Sequence, residues 1–140
     1  MTRTISTTHI DLKDIHFNAL EWKSNLQFIK GELQFINQLF NSYVFEPTTR
    51  NLFERLQEFK DGVLRVEKEI EILEEEIKKH ESELGGMLEC DTISCDHYYY
   101  NKHQKLKITL DVFYKNYRRL KSEIFSYTGG VLKSNKKPVT

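Results

Sequence analysis

Apolar residues recur along this chain in three runs whose spacing alternates between four and three residues. The first reads Ile15, Ala19, Trp22, Leu26, Ile29, Leu33, Ile36, Phe40 and Tyr43. The second reads Leu52, Leu56, Phe59, Val63, Val66, Ile70, Leu73, Ile77, His80, Leu84 and Met87. The third reads Tyr99, His103, Leu106, Leu110, Phe113, Tyr117, Leu120, Ile124, Tyr127 and Val131. A helix turns once in about 3.6 residues, so this alternation keeps one stripe on one face, the heptad seam of helices packed side by side. The pattern predicts three helices, over about 9–44, 48–85 and 94–129. Each is roughly 35 residues, or about 50 Å long at 1.5 Å per residue.

Punctuating residues agree with that division. Thr8 to Asp11 reads as a cap region for the first helix. VFEPTTR interrupts the seam, where Pro47 suits a first turn and Thr48 or Thr49 can cap the second helix. Gly85-Gly86 and Gly129-Gly130 mark the expected ends of the second and third helices, and Asp91 or Ser94 the start of the third. Short links make neighbouring helices antiparallel. The expected fold class is therefore all-α, an antiparallel up-down-up bundle of three long helices with coiled-coil-like heptad packing. It occupies residues 9–132, between a disordered tail at 1–8 and a disordered basic tail at 133–140. Setting Tyr43 opposite Leu52 and Leu84 opposite Tyr99 puts Ile15, His80 and His103 at one level. His16 starts one residue away, so two or three histidines share a cross-section.

Length and charge narrow the function classes. The 140 residues suit one domain with a single core. Lys plus Arg and Asp plus Glu are 21 each, which leaves no electrostatic footprint for nucleic acid or an anionic membrane. No stretch approaches the roughly 18 apolar residues of a membrane span. MTRTISTTHIDLKD lacks the apolar core of a secretory signal, so the expected location is cytoplasmic. There Cys90 and Cys95 are two reduced thiols rather than a loop disulfide.

One stretch, CDHYYYNKH from Cys95 to His103, concentrates groups with chemistry. With Cys90 it offers four zinc donors, Cys90, Cys95, His97 and His103. The two histidines lie six residues apart, about 240° around a helix, and diverge. Tyr98, Tyr99 and Tyr100 need no ligand, because a tyrosine ring can bury while its hydroxyl stays wet. The histidine level is the better metal candidate, with His16, Glu76, His80 and His103 as its residues. Helical bundles do hold metals through inward acids and histidines, yet the Glu-x-x-His pairs of di-iron bundles are missing here. A hydrogen-bonded histidine layer that sets register accounts for the same residues without a metal or other cofactor.

Catalytic signatures are absent: there is no phosphate-binding Gly-rich loop, no G-x-S-x-G and no H-E-x-x-H, so no enzyme is expected. The run EKEIEILEEEIKKHE reads as a solvated face supported by i,i+4 pairs. Lys115, Arg118, Arg119 and Lys121, followed by Lys133, Lys136 and Lys137, form a modest basic face on the third helix. Phosphate or nucleic-acid contact through it is the weaker alternative. The first helix carries more apolar surface than its seam uses: Phe17, Leu20, Phe28, Phe35 and Leu39 lie off it. Phe28, Phe35 and Leu39 are the expected partner-binding residues, toward a second copy or another helical protein.

LEWKSNLQFIKGELQFINQLF, a charged second helix and DH-x5-H in the third together resemble short all-helical proteins of unassigned function from Bacteroidetes. That resemblance implies a helical fold over most of the chain. It implies no activity, cofactor or residue role.

Overall fold

The computed structural model describes the backbone of residues 2–42, 52–89 and 93–136, and the side chains of 14–42, 52–84 and 97–130. Three helices account for it: α1 (Thr2–Phe40), α2 (Leu52–Glu89) and α3 (Ile93–Lys136). No strand occurs among the described residues, so the chain is all-α. Tyr43, Pro47, Thr48, Thr49, Cys90, Asp91 and Lys137 lie outside the described residues. So do the side chains of Met87, Cys95, Asp96, Val131, Lys133 and Lys136.

The seams form the interior. Every α1 seam residue from Ile15 to Phe40 is buried, as are most of those on α2 and α3. Leu56, Leu84, Leu120 and Tyr127 are half-buried. The helices are longer than their punctuation implies. α1 starts at Thr2, ahead of the cap region, in a stretch with neither Gly nor Pro to break it. It tapers at its end through backbone bonds of 3.2 Å from Asn41 to Gln38 and 3.1 Å from Ser42 to Leu39, the tightened turn that satisfies terminal carbonyls.

Neither glycine pair stops its helix. α2 continues through Gly85-Gly86 to Glu89, and α3 continues through Gly129-Gly130 to Lys136. A helical glycine costs about 1 kcal/mol relative to alanine, which burial of a neighbouring seam residue can outweigh. Thr128, beside the second pair, is buried, and its hydroxyl donates to the Ile124 carbonyl at 2.7 Å.

The chain packs as two compact units, one of Met1–Phe28 with Ile70–Val112, the other of Ile29–Glu69 with Phe113–Thr140. In the first, Trp22, Leu26, Ile77, Tyr99, His103 and Leu106 are buried, and Ile15, Tyr99 and Leu84 pack together. Lys23 pairs with Glu81, and Gln27 donates to Glu74 at 3.2 Å.

In the second unit the Glu32 carboxylate accepts from the Tyr117 hydroxyl and the Lys121 ammonium, both at 2.9 Å. Burial, reinforced by that carboxylate, pushes the Tyr117 phenol well above its ordinary value. Arg55 lies over the rings of Phe59 and Tyr127, 4.7 and 5.6 Å from their centroids. Gly62 is buried where α2 meets α3, and a Cβ there would lie 3.0 Å from Leu120 Cδ1. A Cβ on Gly130 meets nothing within 4 Å. Gly62→Leu is therefore expected to lower unfolding stability by about 1–3 kcal/mol through overpacking. Gly130→Ala is expected to raise it by up to about 1 kcal/mol. Denaturant titration of the two variants measures both signs.

Candidate functional site

Seam position brings the two histidines together in the first unit. His80 falls on the α2 seam and His103 on the α3 seam, so both rings turn inward, with 4% and 1% of their surfaces exposed. His80 Nε2 lies 3.1 Å from His103 Nδ1, a hydrogen-bonded pair with ring centroids 5.3 Å apart. The expected meeting of His80 and His103 is present.

The α1 residues at that level differ from the expectation. Asn18 Nδ2 reaches His103 Nε2 at 3.2 Å, and the Trp22 indole stacks on the His103 ring at 4.7 Å. Ile15 instead packs with Tyr99 and Leu84, one turn from His103 along α3. His16 is exposed. The expected register rested on Tyr43 facing Leu52, a pairing outside the described residues. The side chains set another: Lys23 faces Glu81, which places Trp22 rather than Ile15 near the histidines. Asn18 had one sequence signal, a short amide one turn before Trp22 beside the seam.

Tyr99 closes the layer from below. Its ring stacks on His80 with centroids 4.3 Å apart, and its hydroxyl donates to the His80 carbonyl at 2.9 Å. Burial, followed by the carboxylates of Glu83 and Glu81, pushes its phenol up to about 12. Burial also lowers His80, against the opposing pull of Glu83, while Lys102 lowers it further. His103 is held down to about 4, first by burial and then by His80 and Lys107. Both imidazoles are neutral at neutral pH.

His80 borders an open groove of about 230 Å³ between α2 and α3, lined also by Glu76, Glu83, Lys79, Lys102 and Lys105. Lys102 donates to Glu83 at 3.1 Å, and that bond raises its pKa. The metal set of His16, Glu76, His80 and His103 is not assembled: the facing nitrogens of the pair bond to each other, and His16 is exposed. Among the described residues no group of three or more His, Cys, Asp or Glu comes together to hold a metal ion.

The outward face of α1 is the second candidate. Phe17, Leu20, Phe28 and Phe35 are exposed, Phe28 and Phe35 at 68% and 56%. Leu39 is half-buried, at the edge of that face rather than on it. From Ser24 to Ser42 every exposed residue is uncharged: Ser24, Asn25, Gln27, Phe28, Gly31, Gln34, Phe35, Gln38 and Asn41. The charged residues of that stretch, Lys30 and Glu32, are half-buried. Exposed positions on α2 read very differently, with Arg65, Lys68, Glu69, Glu71, Glu75, Glu76, Lys78 and Lys79 among them. On α3, Lys115, Arg118 and Arg119 are exposed, while Lys121 is taken up by Glu32. No helix among the described residues is long and apolar enough to cross a membrane.

Comparison with known proteins adds no identity: no family model, no curated protein and no solved structure matches this chain.

Proposed function

We propose that this protein is a non-enzymatic helical-bundle interaction or scaffold protein of the cytoplasm that self-associates through α1. The observation that carries this reading is the outward face of α1 from Ser24 to Ser42, where every exposed residue is uncharged and Phe28 and Phe35 are exposed. A helix face that stays in water ordinarily carries charge opposite its apolar stripe. Here two large rings stand among amides, a serine and a glycine, the kind of surface that partners cover. A face without cations has no grip on phosphates, which argues against nucleic acid. It also lacks the Lys and Arg that hold interfacial helices to anionic lipids. A second copy presents the same uncharged face and meets no repulsion, and a two-fold homodimer is the commonest closed assembly.

We further propose the up-down-up arrangement with coiled-coil-like heptad packing. Its support is the order of contacts within the first unit. As α1 advances from Lys23 to Gln27, its partners on α2 retreat from Glu81 to Glu74. Between α2 and α3 the partners run oppositely too, from His80 with His103 to Glu83 with Lys102.

Sedimentation equilibrium of the full chain tests self-association. A concentration-dependent rise toward twice the monomer mass is expected. Monomer at every concentration contradicts self-association and leaves α1 to a different protein partner. The alternative of a metal-binding bundle has no comparable support, because the two histidines use their facing nitrogens on each other.

A further inference from the structure

Each nitrogen in the histidine layer has a role set by its neighbour. Asn18 Nδ2 can only donate, so His103 Nε2 accepts from it across 3.2 Å. The proton of neutral His103 then sits on Nδ1 and is donated to His80 Nε2 across 3.1 Å. Neutral His80 carries its own proton on Nδ1. The bonds therefore point one way, from Asn18 through His103 to His80, and His80 borders the groove.

We infer that the layer is a binding site for one proton, accommodated by reversal of this whole chain of hydrogen bonds. The gained proton is held on His103 Nε2. The former Nδ1 proton of His103 crosses to His80 Nε2, and the Asn18 amide turns over so that its Oδ1 accepts from His103 Nε2–H. His103 ends neutral with its tautomer exchanged, and His80 ends as the imidazolium. Both hydrogen bonds of the chain, Asn18 to His103 and His103 to His80, persist in the reversed sense, so the first proton breaks neither. A second proton has no such arrangement, because both facing nitrogens would carry hydrogen at 3.1 Å.

The surroundings favour charge on His80 over His103. From α2, Glu76, Glu83 and Lys79 share the groove with His80, and Glu81 lies one residue on. From α3, Lys102 and Lys105 share the groove, Lys107 bears on His103, and the Tyr99 phenol stays neutral. From α1, Asn18 and Trp22 reach the pair without charge, and Lys23 is paired with Glu81. His103, almost fully buried under Trp22, is held lower than an ordinary histidine by burial and then by His80 itself. Asn18 is half-buried, so its amide is not enclosed on every side.

Long-range proton–nitrogen NMR of the imidazoles in the full, nitrogen-15-labelled chain tests this directly. On acidification from about pH 8, His103 is expected to pass from the Nδ1–H to the Nε2–H tautomer while staying neutral. His80 should become doubly protonated with the same midpoint. An unchanged His103 tautomer, protonation of His103 before His80, or unfolding with no exchange of tautomers would each overturn the inference. Asn18→Asp replaces an amide that can donate or accept with a carboxylate that only accepts, so it favours the reversed chain and should raise the proton affinity of the layer about tenfold. Asn18→Leu removes the partner of His103 Nε2 from both states and should shift the midpoint less. An Asn18→Asp variant that folds and titrates at the wild-type midpoint counts against the reversal.

Discussion

Replacing His103 alone with leucine is expected to lower unfolding stability by about 1–3 kcal/mol, and replacing His80 and His103 together to restore most of that loss. The single change removes the partner of His80 Nε2 and of the Asn18 amide at once. His80 is 4% exposed, so its orphaned Nε2, which faces the bundle interior, is left largely buried. In the double variant the only group left over is the half-buried Asn18 amide, which can be solvated. A double-mutant cycle by chemical denaturation isolates the coupling, and additive losses would show that the rings act independently.

Acid should expose the same pair. Both histidines have folded pKa values below the ordinary 6.5, so they bind protons more readily once unfolded. Their contribution to stability is fully present above about pH 6.5 and is lost as pH falls toward the folded values, about 4 for His103. The double leucine variant should lack this share of the acid transition. Equal acid sensitivity in wild type and double variant would place the labile groups elsewhere.

Association should respond to the outward face of α1 and leave the fold alone. Phe28→Gln with Phe35→Gln extends the amide character already set by Gln27, Gln34 and Gln38. Each buried phenylalanine is worth roughly 1.5–3 kcal/mol in transfer terms, and a two-fold dimer loses each ring twice. Part of that gain offsets the lost rigid-body freedom of two chains, so the sum is not the affinity. A loss of about 100-fold or more in dimer affinity is expected, which corresponds to about 2.7 kcal/mol. Both rings are mostly exposed in the single chain, so helical content should hold.

Much of the fold was legible in the periodicity. The alternation of four and three named the buried positions of all three helices, including His80 and His103, because a seam residue has one direction to point. Helix ends were less legible. Gly85-Gly86 and Gly129-Gly130 carry a local preference for stopping that is small beside the packing on either side of them. Register between α1 and α2 was least legible, because it depends on the link between them and not on either seam. That is why Trp22 and Asn18, rather than Ile15 and His16, meet the pair. The charge-free face of α1 is visible in the sequence only as surplus Phe and Gln. Burial makes it a surface, by showing that Lys30, Glu32 and Leu39 lie at least half inside.

Self-association through α1 is tested most directly by size-exclusion elution with inline light scattering. The wild type and Phe28→Gln/Phe35→Gln are run side by side. A wild type near twice the monomer mass is expected, with a variant at the monomer mass and equal helical circular dichroism. A wild type that stays monomeric at high concentration, or a variant that loses its helices along with its dimer, would contradict an interface on α1.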